Sequence, residues 1–241
     1  MAVFSTEFCV KYEDVDVHNN LTPAGFIKYL LDAGSLHSDL CGYGFDDIPK
    51  THVTWIVLNW KVKMYRIPHC SDILKINTWS RGAHKSLCYR DYEIFDDKKN
   101  LIAIATSRWV LIDYNTKNIL TVPPYVVDAY GTVDRKVFGT EISKLKQPDS
   151  QFTNRFDYTI LRRDIDTNNH VNNSNYLIFA CEALPDDVYN NMQFKNIEVM
   201  YKKQCLLGDK ISCLYNFEDG KHIITIKSYD LKTLHSIIIF S

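Results

Sequence analysis

Read as a succession of apolar and polar positions, the chain shows one pattern twice. Each half opens on a helical stripe. Thr22 and Pro23 start a helix carrying Phe26, Ile27, Leu30 and Leu31, which Gly42 stops. Ser174 caps a second helix carrying Tyr176, Leu177, Ala180 and Leu184, ended by Pro185. Runs rich in β-branched and aromatic residues follow both stripes and read as strands. They cover 55–64, 73–79, 86–95 and 102–114 in the first half, and 197–205, 210–217, 221–229 and 234–240 in the second. Connections within each set are short, which favours antiparallel meanders over parallel crossovers.

The halves also match residue by residue. At a shift of 150 positions Asp14, Asp16, Asn19 and Ala33 fall on Asp164, Asp166, Asn169 and Ala183, with Val15, Phe26 and Asp32 on Ile165, Tyr176 and Glu182. A second match, Met64-Tyr65-Arg66 on Met200-Tyr201-Lys202, has a shift of 136, so the first copy holds 14 extra residues, placed near Gly42 to Lys50. The fold class that follows is α+β: a central helix wrapped by a curled antiparallel sheet, present twice, in which two sheet edges can pair and cover each other. Pro123-Pro124 and the polar segment from Asp134 to Ser150 separate the copies. The expected division is 1–132, a linker over 133–152, and 153–241.

Composition narrows the functional classes. With 46% hydrophobic residues among 241, a substantial core is available. Lys plus Arg (28) nearly balance Asp plus Glu (29), which gives no reason to expect a nucleic-acid partner or an anionic membrane. No apolar run reaches the length of a membrane span, and the N-terminal residues lack a basic start followed by an apolar run. Seven cysteines, an odd number without a C-x-x-C pair, argue against a disulfide framework or a zinc site and for a reducing, cytoplasmic setting. The remaining histidines, among them His18, His69 and His222, show no ligand spacing, so no metal or cofactor is expected.

Chemistry concentrates in Asp164-Ile-Asp-Thr-Asn-Asn-His-Val-Asn-Asn-Ser-Asn-Tyr, a polar loop before the second helix. Asp164, Asn172 and Asn173 can serve simply to cap that helix and tie the loop. The comparison of copies separates structure from function. Asp16 and Asp166 survive in both, but Val17, His18 and Asn20 stand where Thr167, Asn168 and His170 stand in the second, so only the second holds Asp-x-Asn-x-His. Asp166 or His170 can take a proton from water, Asn168 can orient a reactant, and N–H groups near Val171 at the positive helix end can receive an oxyanion. A thioester suits this equipment, because a thiolate of pKa about 8.5 leaves with little protonation.

This stretch, with Glu182 after it, resembles the catalytic signature of the acyl-ACP thioesterases, double hot-dog enzymes of plant plastids and bacteria. Trp55-Ile-Val, the Tyr65 to Asp72 stretch with Pro68, Trp79, Arg90-Asp91, Ser107-x-Trp109-Val and the Pro123 region extend the resemblance over nearly the whole chain. It implies a tandem hot-dog fold and hydrolysis of fatty acyl chains from acyl carrier protein. It also implies a first copy that houses the acyl chain and a second that supplies Asp166, Asn168 and His170. The chain departs from the family at Gln204, where a glutamate is common. Cys205 matches a cysteine proposed in some members as a nucleophile with His and Asn. In a continuous strand Gln204 and Cys205 would face opposite sides, and Cys205 keeps the more apolar company, so water is the expected nucleophile. Residues 61–90 hold Lys61, Lys63, Arg66, Lys75, Arg81, Lys85 and Arg90 against Asp72, a candidate dock for an acidic carrier protein, or a solvated strand face. Trp55, Trp60, Trp79 and Trp109 can line an acyl tunnel or belong to the core. Alternatives of the same fold are an acyl-CoA thioesterase, a hydroxyacyl-thioester dehydratase or hydratase, and a non-catalytic acyl-binding protein. The sequence leaves acyl chain length and oligomeric state, a homodimer included, open.

Overall fold

The computed structural model describes residues 2–191 and 193–241, which form two compact units: Met1–Thr22 with Phe26–Ile142, and Pro23–Gly25 with Ser143–Ser241. The first contains β1 (Phe4–Cys9), most of α1 (Pro23–Leu40), α2 (Ile48–Thr51), β2 (Val53–Met64), β3 (Ile73–His84), β4 (Leu87–Phe95), β5 (Leu101–Asp113) and α3 (Pro124–Tyr130). Its strands lie in the order β1-β3-β4-β5-β2, every neighbour antiparallel. Helix α1 buries Phe26, Ile27, Leu30, Ala33 and His37, the stripe that a period of 3.6 residues turns to one side. Gly42 stops the chain at φ 77° while the Tyr43 N–H returns to the Ser38 carbonyl at 2.9 Å. The extra length of the first copy does not lie only near Gly42 to Lys50: α1 has 18 residues and β2 12, against 8 and 6 in the matching elements Asn175–Glu182 and Asn196–Tyr201.

The second unit repeats this plan with β6 (Asn154–Thr159), α4 (Asn175–Glu182), α5 (Asp186–Asn190), β7 (Asn196–Tyr201), β8 (Lys210–Glu218), β9 (Lys221–Ser228) and β10 (Leu234–Phe240). Strand order is β7-β10-β9-β8-β6, again antiparallel. Ile197, Val199, Ile238 and Phe240 share one face of β7 and β10, whereas Met200, Ile237 and Ile239 share the other, and both faces are buried. A sheet covered on both sides explains why β8, β9 and β10 read as near-continuous apolar runs.

The fold adds to the expected one and departs from it at several points. Each sheet gains a six-residue edge strand, β1 or β6, whose half-buried and exposed residues strictly alternate. Strand β7 ends at Tyr201 rather than Cys205, so strand alternation does not govern Gln204 and Cys205. Residues 133–150 are polar but not loose. Val133 N–H meets the Ser80 carbonyl at 3.0 Å, the Trp79 indole donates to the Arg135 carbonyl at 3.0 Å, and the Arg135 guanidinium lies 4.1 Å from the Trp79 ring. Further along, Leu145 is buried against Met200, Ile223, Ile237 and Ile239. Trp60 and Trp79 are fully buried core residues.

The Tyr65–Asp72 connection is fixed electrostatically. Burial opposes ionisation of Asp72, but the Arg66 guanidinium at 2.6 Å and the His69 N–H at 3.1 Å outweigh it, and the carboxyl sits below the usual carboxylate range. A lowered folded-state pKa adds stability above the unfolded value, lost as pH falls through the folded one. Thermal unfolding between pH 6 and 3 should therefore show a shallower acid decline for Asp72→Asn than for wild type.

Candidate active site

The loop before α4 is a tight hairpin turn. Asp166 N–H meets the His170 carbonyl at 2.8 Å, Asn169 N–H returns to the Asp166 carbonyl at 3.0 Å, and Ile165 and Val171 pair as an antiparallel bridge. Closing it puts Asn169 in the left-handed region at φ 62°, which asparagine tolerates better than most residues. The first copy makes the same turn: Asp16 with Asn20 at 2.8 Å, Asn19 with Asp16 at 3.0 Å, Asn19 at φ 66°, and a bridge from Val15 to Leu21.

Both turns rest on a buried aspartate. The Asp164 carboxylate accepts the Leu161 N–H at 2.8 Å and the Tyr158 hydroxyl at 3.0 Å, while its carbonyl takes the Asn172 N–H at 2.9 Å and the Asn175 carboxamide at 3.2 Å. Asp14 accepts the Tyr29 hydroxyl at 2.6 Å. The tyrosine has changed sides between copies. In the first it stands on the helix against Phe8; in the second it stands on the strand, as Tyr158, against Phe179. The pair is exchanged, and the bond to the aspartate is kept.

Against this shared frame the predicted residues take distinct places. Asp166 is half-buried and accepts the Asn168 N–H on Oδ1 at 2.8 Å, the bond Asp16 accepts from His18 at 2.9 Å. Asp16 Oδ1 also takes the Asn20 N–H at 2.8 Å. Its counterpart, the His170 N–H, has no acceptor among the described residues. Asn168 is exposed and His170 half-buried, one residue from Val171.

Val171 links the turn to Cys205. Its N–H donates to the Cys205 carbonyl at 3.0 Å, as the Leu21 N–H donates to Pro68 at 2.8 Å in the first copy. Cys205 therefore replaces Pro68 at a shift of 137, against 136 at Met64 and Met200, so the second turn carries one extra residue. Gln204 is exposed beside it and Cys205 fully buried. The Val171 N–H and the Asn172 N–H are thus both engaged, so neither can receive an oxyanion, and the neighbouring His170 N–H is left. Nor does Ser174 cap α4 with its side chain; its N–H and hydroxyl both turn to Asn172 Oδ1, at 3.0 and 2.8 Å.

Two tyrosines that the sequence reading passed over hold this corner. The Tyr176 hydroxyl accepts the Cys205 N–H at 3.0 Å, and the Tyr201 hydroxyl donates to the Asn173 carbonyl at 2.8 Å. Their signal was the Tyr201 match to Tyr65 and the Tyr176 match to Phe26. Burial pushes the Cys205 thiol up to about 11, against the opposing hydrogen bond from Tyr176. A neutral buried thiol is a poor nucleophile.

The basic stretch 61–90 is mostly engaged. Arg66 pairs with Asp72, Lys75 with Glu7 at 3.9 Å, and Arg81 with Glu141 at 2.9 Å; Arg90 is buried 2.9 Å from His37 Nδ1, and Lys61 reaches Thr140 at 2.9 Å. Lys63 and Lys85 are exposed. Among the described residues no group of His, Cys, Asp and Glu is placed to hold a metal, and no helix is long and apolar enough to cross a membrane.

A helix packed on an antiparallel sheet, repeated with its loop in one chain, defines a tandem hot-dog protein. Residues 1–130 match the acyl-ACP thioesterase N-terminal domain model and residues 146–240 the acyl-ACP thioesterase C-terminal domain model. The chain belongs to the acyl-ACP thioesterase family. It is 28% identical to a chloroplastic oleoyl-acyl carrier protein thioesterase of Coriandrum sativum over 229 residues, 88% of this chain and 62% of that protein. A second such thioesterase, from Arabidopsis thaliana, is 23% identical over 92% of this chain and 65% of its own length. The chain thus spans a little under two thirds of these curated relatives. Two solved structures share the fold over 99% of this chain and 96% of theirs: an acyl-ACP thioesterase from Bacteroides thetaiotaomicron (TM-score 0.88, 19% identity) and a 12:0-ACP thioesterase from Umbellularia californica (TM-score 0.87, 21% identity).

Two outcomes follow from the geometry. Asn169→Gly should leave stability near wild type, whereas Asn169→Val should lose about 1–2 kcal/mol in denaturant unfolding. Iodoacetamide at pH 7.5 should alkylate the exposed Cys9 well before Cys205, as peptide mass mapping over time would record.

Proposed function

We propose that this chain hydrolyses fatty acyl thioesters borne on acyl carrier protein, releasing free fatty acid, with water activated at the Asp166–His170 turn. The observation that carries the proposal is the contrast between two turns of one shape. Asp16 and Asp166 make the same turn bond, so that bond accounts for an aspartate in either copy. What distinguishes the second copy is Thr167, Asn168 and His170 in place of Val17, His18 and Asn20. Family membership supplies the reaction class.

In this reading Asp166 holds the turn and His170 takes a proton from water as hydroxide adds to the acyl carbon. The new oxyanion is received by the Asn168 carboxamide and the unengaged His170 N–H. Collapse expels the thiolate, which recovers the proton from the imidazolium. Gln204 orients water or the carbonyl from the rim, and Cys205 shapes the turn through its backbone rather than attacking. The first copy, 1–132, houses the acyl chain and the second, 153–241, the chemistry. Seven free cysteines support a reducing setting, the cytoplasm.

The test is release of free fatty acid from a panel of acyl carrier protein and CoA thioesters. Loss of the base should lower kcat by about 10²–10⁴ in His170→Ala, and loss of a donor by about 10²–10³ in Asn168→Ala. Cys205→Ala should stay within about threefold, as expected of a residue that makes no bond in the transition state. A folded but inactive Cys205→Ala would overturn the water mechanism. Equal turnover of CoA thioesters would move the donor to acyl-CoA, and an enoyl product would replace hydrolysis by dehydration.

A further inference from the structure

The second unit carries a cleft whose lining includes no residue of the Asp166–His170 turn. The segment 144–147 runs over the sheet face formed by β7 and β10 and leaves a cavity of about 300 Å³, at the lower end of small-ligand sites. Its walls are apolar: Leu145, Met200, Leu234 and Ile237. Its rim carries Lys144, Lys146 and Lys202, all exposed, with no acidic residue lining the cleft. None of the three makes a salt bridge among the described residues.

An apolar cavity needs an apolar occupant to displace water, and three ammonium groups at its mouth need an anion. We propose that this cleft binds a long-chain carboxylate, the hydrocarbon lying on Met200 and Ile237 and the carboxylate among the three lysines. Charge and shape complementarity select this occupant. A neutral lipid would leave the lysines unanswered, and a fully polar anion would leave the apolar walls in water. Met200 is suited to the site because its unbranched side chain adapts to chains of different length. Lys202 lies just past the end of β7, where its N–H meets the His235 carbonyl at 2.8 Å, three residues before Cys205. The inference goes beyond the proposed reaction and does not need it, since binding can be read without turnover.

The experiment is photolabelling of the full chain with a diazirine-bearing dodecanoate, followed by peptide mapping, alongside a separate hydrolysis assay. Labelling should fall on the 144–147 and 234–237 peptides and be competed at least tenfold better by dodecanoate than by dodecanol. It should drop at least tenfold in the surface variant Lys144→Gln/Lys146→Gln/Lys202→Gln, whose far-UV circular dichroism should match wild type. Equal competition by dodecanol, undiminished labelling in the variant, or displacement by polyglutamate but not dodecanoate would overturn the proposal, the last pointing to an acidic protein face instead. Specific labelling in a chain that hydrolyses no thioester would uphold this site while removing the proposed function.

Discussion

The carboxylate of Asp164 is the interaction on which the candidate site depends. It is buried, and a buried carboxylate is tolerable only when its oxygens are answered by donors. The Leu161 N–H and the Tyr158 hydroxyl both donate to its Oδ2, and the carbonyl of the same residue fastens Asn172 and Asn175. One residue therefore ties the entry of the loop to its exit and to the first turn of α4. Between those fastenings the chain has only enough length for one tight turn, with Asn169 left-handed at its tip. The His170 imidazole is placed by this geometry, with no side-chain hydrogen bond of its own among the described residues. Asp14 does the same work in the first copy with the aromatic pair reversed, which shows that the bond, rather than the position of the tyrosine, is what the fold requires.

The duplication made much of this legible from residues alone. Matches at a shift of 150 fell on the parts where backbone geometry is demanding: the buried aspartate, the turn aspartate and the left-handed asparagine. Paired apolar stripes located both central helices, and Gly42 marked the end of the first. Other features lacked a local signal. Strands β1 and β6 are short and half exposed, so neither hydrophobicity nor length set Phe4–Cys9 or Asn154–Thr159 apart, although the same shift of 150 relates them. The end of β7 at Tyr201 arises from tertiary bonds: Lys202 N–H turns to His235, and Cys205 is claimed by Tyr176 and Val171. Engagement of the Val171 N–H is likewise a long-range fact, since its acceptor lies 34 residues away. Charge counts do not show ion pairing, for the same reason. The partners of Lys75 and Arg81, Glu7 and Glu141, lie far from them in sequence.

Comparing the copies also divides labour within the site. Whatever both turns share serves the fold, and whatever one turn alone possesses is free to serve chemistry. By that criterion Asp166 and the Cys205 carbonyl belong first to the scaffold, because Asp16 and the Pro68 carbonyl make equivalent bonds. Asn168 and His170, together with an N–H that Asp166 leaves unanswered, are the groups the proposed reaction uses. Burial of the Cys205 thiol, with its raised pKa, is consistent with the same division.

The most direct measurement is the hydrolysis rate of a chain whose second turn has been rewritten as the first, Thr167→Val/Asn168→His/His170→Asn. Because Asp166, Asn169 and the backbone bonds are unchanged, the rewritten chain should unfold within a few degrees of wild type and release no fatty acid above background. A rewritten turn that still hydrolyses acyl carrier protein thioesters at the wild-type rate would contradict the account, since the second copy would then owe its activity to something other than these side chains.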